Sequence, residues 1–321
     1  MSTASSRAIL RILKDLDGYL NRFNQSQRPA LFEKLIAEAF SSILYLPFYT
    51  SDSDNSQIPN RVVWFGRTNP LSKAPPEKPD AIAHCCDFHV VVEATMKTGA
   101  TQWSQEFGPS IRHCEDFCTG SGVSPRDAYV LVVCTQLHVD TYRSIRSHPR
   151  QEYRLVPLEV ADVERILQTS ILAFTVRHLE LRGLFHSICD CIAASSSLAE
   201  FRTSVNDTIV QWQKNILRLE KDVFIGIKSY EIMRRIGRQH SRQYIGTTEI
   251  LNRLQKHWVV NQYFKLIGNR IGTDAIEGAL VSHSFAAKVG ATYDDEQLFQ
   301  PVPSIDFKQR GLRLIRAVED A

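Results

Sequence analysis

The sequence contains no long hydrophobic run, since none of its segments approaches the roughly 18 to 20 uninterrupted apolar residues that a membrane-spanning helix requires. It also lacks the start of a secretory signal, because charged residues interrupt the apolar ones from Arg7 onwards. These two absences lead us to expect a cytoplasmic protein without a membrane partner. Its apolar residues make up 43% of a chain of 321 residues, which is sufficient for a folded core.

Cysteine is scarce and irregularly spaced. The seven cysteines are Cys85, Cys86, Cys114, Cys118, Cys134, Cys189 and Cys191. An odd number without a regular framework predicts reduced thiols in a reducing compartment. Two pairs, His113-Cys114-xxx-Cys118 and Cys189-x-Cys191, resemble zinc ligands, but neither has the CxxC spacing of a structural site. We favour free cysteines that behave as small hydrophobic residues over a metal site.

Short patterned segments replace the long runs that are missing. Apolar residues recur every three or four positions in five segments, which predicts helices at 7–20, 29–46, 163–184, 198–219 and 248–267. β-Branched residues dominate elsewhere and predict strands at 61–65, within 81–96, at 128–134 and at 153–157. Strands separated by helices are typical of an α/β (α+β) domain with a mixed sheet. We place that domain at 1–190 and a mostly helical one at 198–321, with 193–197 as the connection.

The strongest strand signal, at 89–96, carries Glu93 among β-branched neighbours. Asp80 lies thirteen residues earlier at a loop-to-strand boundary, and a turn near Cys86-Asp87 would make this region an antiparallel hairpin. The start of the first strand then lies beside the later part of the second, so Asp80 and Glu93 approach one another. A mid-strand carboxylate is unfavourable to bury unless it is paired or binds a cation, and Mg²⁺ prefers hard oxygen ligands.

These residues also carry a family resemblance. Pro79-Asp80, then Glu93-Ala-Thr-Met-Lys97 with Thr98-Gly99 and Gln102-xxx-Glu106, is similar to the active-site region of type IIS restriction and nicking endonucleases of the AlwI kind. It is more distantly similar to the FokI cleavage domain. Two more segments match in order: Leu31-Phe-Glu-Lys-Leu35 resembles the acidic helix that opens the PD-(D/E)xK core, and Leu155-Val-Pro-Leu-Glu-Val160 resembles its late strand and helix. The resemblance covers about 20–185 and implies a PD-(D/E)xK restriction-endonuclease-like mixed-sheet core.

The resemblance implies a Mg²⁺-dependent DNA endonuclease, with Mn²⁺ as an alternative ion. It implies that Asp80 and Glu93 bind the metal. It implies further that Glu33 supports the site from the first acidic helix and that Glu106 is an additional acidic residue. For Glu33 alone, a solvated helix position is an alternative interpretation, and for Asp80 with Glu93 the alternative is a turn residue and half of a salt bridge.

The sequence departs from the class at Thr95, where most PD-(D/E)xK enzymes have a lysine that orients the attacking water or stabilises the charged phosphorane. Lys97 is a candidate substitute, because residues two apart on a strand share a face. The missing lysine supports a second hypothesis, a catalytically inactive DNA-binding or assembly protein that keeps the nuclease fold. A DNA-repair or anti-phage nuclease is a third and shares the chemistry of the first.

The segment 228–270 is rich in cations and poor in acids. Its nine Lys or Arg residues are Lys228, Arg234, Arg235, Arg238, Arg242, Arg253, Lys256, Lys265 and Arg270, against only Glu231 and Glu249. Aromatic residues interleave with them at Tyr244, Trp258 and Tyr263. This pattern predicts contacts to DNA phosphates, principally by Arg234, Arg235, Arg238, Arg242, Arg253 and Lys256. An ordinary solvated helix face is the alternative.

The predicted partner is double-stranded DNA. A single-chain type IIS enzyme usually carries a full recognition domain, and only about 135 residues remain here after the resemblance ends. We therefore expect a cleavage subunit that works with a larger recognition subunit or as a homodimer, each active site cutting one strand.

Overall fold

The computed structural model of the chain describes residues 5–53, 58, 60–148, 154–173, 178–240, 244–268, 270–282, 286–291 and 297–301. The chain divides into two compact units, 1–171 with 176–211 and 172–175 with 212–321. Across the described ranges, no helix is both long and apolar enough to cross a membrane.

A six-stranded mixed sheet forms the centre of the first unit. Its strands, in spatial order, are β1 (Phe48–Thr50), β2 (Arg61–Trp64), β5 (Ala81–His84), β6 (His89–Thr95), β7 (Ala128–Cys134) and β8 (Arg154–Glu159). β5 is antiparallel to β2 and to β6, whereas the other neighbours are parallel. All seven residues of β7 are buried, as expected for a β-branched strand inside a covered parallel sheet. A separate two-stranded ribbon joins β3 (Arg67–Thr68) to β4 (Leu71–Ser72).

Eight helices accompany this sheet along the described chain. They are α1 (Ser6–Lys14), α2 (Leu16–Leu20), α3 (Arg28–Leu44), α4 (Gly108–Ser121), α5 (Val139–Ser147), α6 (Val160–Leu172), α7 (His178–Ala194) and α8 (Leu198–Leu219). The α3 helix packs on β2, β5 and β6, and α4 packs on β6 and β7. These two helices thus deliver side chains to the ends of the central strands.

The second unit combines helices with a small antiparallel sheet. Its elements are α9 (Lys221–His240), β9 (Ile245–Gly246), α10 (Thr247–Lys256), α11 (Trp258–Ile267), α12 (Thr273–Ser282), β10 (Ala286–Ala291) and β11 (Gln297–Pro301). The strand order is β10-β11-β9. The core contains a ring stack in which the centroids of Phe224 and Tyr263 lie 3.8 Å apart. A mixed sheet followed by a mostly helical part confirms the predicted fold class.

The structure confirms the strands predicted at 61–65, within 81–96 and at 128–134. The strand predicted at 153–157 is found at Arg154–Glu159, and Tyr153 lies outside the described residues. The 193–197 segment connects α7 to α8, and the two compact units divide farther along, within α8.

Three predicted helices are each interrupted. The 163–184 segment is divided between α6, which ends at Leu172, and α7, which begins at His178. The 7–20 segment is two helices because Asp15 leaves helical geometry at φ −128°, and 248–267 is two because His257 is extended at φ −85° and ψ 119°. The strands β9 to β11 were not predicted. The β9 strand has only two residues, and β10 has one β-branched residue, Val289, among alanines, glycine and lysine, so neither shows the β-branched enrichment that marks a strand.

Candidate active site

Asp80 and Glu93 lie at the end of the β5–β6 hairpin that is remote from its turn. The Cys85 N–H donates to the Phe88 carbonyl at 3.0 Å, which confirms the turn predicted at Cys86-Asp87. The register that pairs Ala81 with Val92 continues to Asp80 opposite Glu93. The predicted convergence of the two carboxylates is therefore present.

The two carboxylates occupy an environment that disfavours their negative charge. Burial raises the pKa of Asp80 well above its ordinary value, and the neighbouring carboxylates of Glu93 and Glu33 raise it further. One contact opposes this, because the Ala94 N–H donates to Asp80 Oδ2 at 2.7 Å. Burial also raises the pKa of Glu93. A cation placed here would favour the charged forms of both residues.

Glu33 reaches the same region from α3. Its side chain is only 5% exposed, so the alternative interpretation as a solvated helix position is wrong. The Ala74 N–H donates to its Oε2 at 3.2 Å, and the amine of Lys73 lies 3.9 Å from its Oε1. Burial nevertheless raises the pKa of Glu33 from 4.5 to about 7, and Glu93 adds to the rise.

Glu106 comes from a π-helical turn, Trp103–Phe107, that leads into α4. Its Oε1 lies 2.6 Å from the amine of Lys97. Its charge contributes to the raised pKa values of the three carboxylates described above, which places it within electrostatic range of them. Lys97 lies two residues beyond the end of β6 and is about half exposed. The contact with Glu106 therefore holds the Lys97 amine beside the acidic cluster. Because Lys97 lies outside β6, the alternation of side chains along a strand does not determine which way its side chain points.

His113 is a member of this site that the sequence interpretation considered only as a zinc ligand. Its Nδ1 lies 2.6 Å from Glu93 Oε1, and its Nε2 lies 3.1 Å from the carbonyl oxygen of Pro76. Because a carbonyl oxygen only accepts, Nε2 carries a hydrogen, and a second proton lies between Nδ1 and Glu93. This hydrogen bond raises the pKa of His113.

A sequence signal for His113 does exist. It lies seven residues after Glu106, which is two helical turns, so both residues fall on one side of the helical segment. Zinc binding by His113 with Cys114 is not the arrangement found, because both ring nitrogens have other partners.

Thr95 and Gln102 shape the backbone beside the site. Thr95 is buried, and its Oγ1 accepts from the Lys97 N–H at 3.0 Å. Gln102 is fully buried; its amide donates to the carbonyls of Lys97 at 2.6 Å and Gln136 at 3.0 Å, while its Oε1 accepts from the His138 N–H at 3.0 Å. Gln102 thus ties the chain after β6 to the chain after β7.

The cations predicted to contact DNA have unequal exposure. Arg235, Arg238 and Lys256 are exposed, and Arg234 is partly buried. Arg253 is partly buried and lies 3.3 Å from Glu249. Arg242 lies outside the described residues.

Two members of the basic segment belong to the interior instead. Lys228 is 1% exposed and its amine lies 2.7 Å from Glu231, so this member of the basic segment is an interior cation. Tyr263 is fully buried and donates its hydroxyl to the Leu217 carbonyl. It is a core residue and not part of a DNA surface.

The described residues hold no group of three or more His, Cys, Asp or Glu side chains placed around one metal position. Any ion at the candidate site would therefore have few protein ligands, with water supplying the others. The seven cysteines are free thiols, as predicted. Burial raises the pKa of the Cys114 and Cys134 thiols, which makes both poor thiolate ligands.

Comparisons with known proteins were made on sequence and on structure. A search of curated protein sequences returned no match. A structural match to the crystal structure of the small subunit (R.BspD6I2) of the heterodimeric restriction endonuclease R.BspD6I has a TM-score of 0.45 and 13% identity, over 65% of this chain and 99% of that one. The family model for the AlwI restriction endonuclease matches residues 4–166, which is just over half of the chain. The chain therefore belongs to the AlwI restriction endonuclease family.

Proposed function

We propose that the chain is a divalent-metal-dependent nuclease, with Mg²⁺ as its ion and Mn²⁺ as an alternative, that hydrolyses phosphodiester bonds in double-stranded DNA. Family membership supports a restriction-type nuclease. The observation that carries the metal dependence is the carboxylate cluster, where the pKa values of Asp80, Glu93 and Glu33 are all raised. Folded proteins seldom keep several acids together in a buried place without a functional reason.

The donor set suits a hard divalent cation. Asp80 and Glu93 provide carboxylate oxygens from two adjacent strands, and Mg²⁺ is commonly held by one or two carboxylates with water in the other positions. When bound, such an ion neutralises charge on the phosphate and makes an attacking water more acidic. Glu33 and Glu106 would hold water or further charge at the edge of the site. We assign metal binding to Asp80 and Glu93 only.

The remaining side chains position these ligands. His113 is fixed by the Pro76 carbonyl and so presents Nδ1 to Glu93, which restricts the rotation of that carboxylate. Lys97 takes the role of the lysine that Thr95 replaces. Its half-exposed amine, held 2.6 Å from Glu106, has the charge to meet a phosphate oxygen.

One set of these residues per chain cuts one strand. A break in both strands therefore needs either a second copy of this chain or another subunit, and a single chain is expected to nick. Thr95 favours one competing function, an inactive nuclease-fold protein that binds DNA, because its buried hydroxyl caps the Lys97 backbone and provides no charge. Activity measurements separate the two.

The decisive experiment compares Asp80→Asn with Asp87→Asn on supercoiled plasmid in the presence of Mg²⁺. Both substitutions remove one negative charge from the same hairpin, but Asp87 is exposed at the turn and Asp80 lies at the site. We expect Asp80→Asn to lower nicking by at least about 10³-fold and Asp87→Asn to leave it unchanged. Nicking by Asp80→Asn at the wild-type rate would place the active site elsewhere, and a wild-type chain that binds DNA without nicking it would establish the inactive alternative.

A further inference from the structure

A second charged feature of the chain lies in the second unit, apart in sequence from the carboxylate cluster. Residues 250–273 contain four Lys or Arg residues and no Asp or Glu over 24 positions. This acid-free segment comprises most of α10, all of α11 and the residues from there to the start of α12. Arg253 lies 3.3 Å from Glu249, just before the segment, and the other three cations, Lys256, Lys265 and Arg270, give it a positive potential that favours a polyanionic partner.

The α11 helix has two distinct sides. Its buried side consists of Val259, Val260, Tyr263, Phe264 and Ile267. The opposite side, named here the outer face of α11, consists of Trp258, Asn261, Gln262 and Lys265. Trp258 is 54% exposed although tryptophan is largely apolar. An exposed tryptophan beside a cation on an otherwise polar face is unusual for a surface in contact with water alone.

The residue types on this face match those that contact nucleic acid bases. Lysine donates to guanine O6 and N7, glutamine pairs with adenine N6 and N7, and a large apolar ring contacts the thymine methyl group. Asn261 has another task, since its amide donates to the Gln255 carbonyl at 2.9 Å and so holds the corner between α10 and α11. The three side chains at positions 258, 262 and 265 form one stripe at helical spacing.

Among the described residues of the second unit, α12 and α9 lack this combination. The α12 helix carries Asp274 and Glu277 and no cation. The end of α9 carries exposed Arg235 and Arg238, and the Phe and Tyr side chains of that helix, Phe224 and Tyr230, are buried. Cations alone fit phosphate contacts, whereas the outer face of α11 adds an amide and an indole ring.

We infer that the outer face of α11 lies in the major groove of double-stranded DNA and contacts base edges, so that this chain carries part of its own sequence recognition. An α-helix with its side chains is about 10 to 12 Å in diameter and the major groove is about 12 Å wide, so the width of the groove suits a single helix such as α11. The inference rests on the proposed function in one respect, that the substrate is DNA. It assigns specificity to the second unit and chemistry to the first.

The test selects bound duplexes from a randomised pool with the intact chain in EDTA, which prevents cleavage, and then measures affinity by fluorescence anisotropy. The variants are Trp258→Ala and Lys265→Gln. The controls are Val281→Ala, another exposed apolar residue, and Arg143→Ala, an exposed cation whose side chain is 73% exposed. We expect the wild type to enrich one sequence, each α11 variant to bind that sequence roughly tenfold less tightly, and each control to match the wild type.

Two results would overturn the inference: no enriched sequence with the wild type, or α11 variants that keep its sequence preference and affinity. Far-UV circular dichroism checks folding, and Trp258→Phe, which keeps a ring, should retain part of the affinity if Trp258→Ala unfolds the unit. A parallel nicking assay with Mg²⁺ separates the two claims. Nicking with an unchanged sequence preference in the α11 variants refutes this inference alone, and sequence-specific binding without nicking refutes the proposed function alone.

Discussion

The acidic cluster of the first unit and the basic surface of the second differ in burial as much as in charge. Glu33 is 5% exposed and its pKa is raised to about 7, whereas Arg235 and Arg238 are exposed on α9. Bringing like charges together in a buried place destabilises the fold, and exposed cations are solvated at little expense in free energy. The acidic cluster therefore indicates function more strongly than the basic surface does.

The two regions also differ in how their side chains are held. Glu93, Glu106 and Glu33 each have a hydrogen-bond or ion-pair partner that fixes a carboxylate oxygen. Long exposed side chains such as Arg238 keep rotamer freedom until a phosphate orders them. Substitutions in the first region should therefore alter rate and stability, and those in the second should alter affinity and its salt dependence.

Among the substitutions that test this comparison, those at His113 should have the largest effect on the nicking rate. We expect His113→Leu to lower nicking roughly 100-fold and to raise the Mg²⁺ concentration needed for half-maximal rate, because Glu93 loses the group that orients it. His113→Gln, whose amide can donate to Glu93, should recover part of the rate. The control is His186→Gln, at an exposed position on α7. Equal Mg²⁺ dependence in wild type and His113→Leu would show that the contact only stabilises the fold.

A smaller effect is expected in stability against pH without divalent metal. Burial raises the pKa of Glu33 from 4.5 to about 7, so the folded chain retains a proton that the unfolded chain releases within that window. The free energy of unfolding therefore falls as pH rises through this range and stays low above it. Glu33→Gln cannot ionise and should be more stable than wild type at pH 8 by roughly 2 kcal/mol, with no such gain at pH 4.

Urea unfolding at pH 4 and pH 8 measures this difference, and Glu77→Gln at an exposed position is the matched control. A Glu33→Gln variant that is equally destabilised at both pH values would mean that the Glu33 carboxylate stabilises the metal-free fold and does not destabilise it at high pH. Asp80 and Glu93 have pKa values raised in the same direction. The variant should therefore keep part of the wild-type pH dependence.

Local patterns explain why much of the first unit could be predicted. The strand at Ala128–Cys134 has β-branched residues along its length, and the β5–β6 turn falls midway between Asp80 and Glu93. The hairpin alone brings these two carboxylates together, so the core of the candidate site follows from one segment of sequence. Glu33 was placed there only by family resemblance, because its distance in sequence hides the contact of α3 with the hairpin.

The contacts that sequence did not reveal are those between distant segments. His113 on α4 is hydrogen-bonded to Glu93 on β6. The cysteine next to it in the sequence suggested a zinc ligand instead. Gln102 is hydrogen-bonded to the chain that follows β7, and no residue near Gln102 in the sequence predicts these contacts. Lys228 is different, because Glu231 three residues later is a local partner, yet burial of the pair depends on packing within the second unit. Charge counts along a sequence carry no information on burial.

The smallest expected effect concerns Arg235 and Arg238, the two exposed members of the arginine set predicted to contact phosphates. If each neutralises one backbone charge, the double Ala variant should lower the slope of log K against log salt by up to about 1.8, since one phosphate contact contributes about 0.9. Affinity should fall equally on all DNA sequences, because phosphate contacts carry no base information. Nicking at saturating DNA and low salt should persist, since the carboxylate cluster belongs to the other unit.

The control for this prediction is the double variant Arg22→Ala with Arg143→Ala, both exposed in the first unit, which removes the same amount of charge. An unchanged salt slope would mean that Arg235 and Arg238 form an ordinary solvated helix face. A loss of affinity restricted to one DNA sequence would mean that they contact bases.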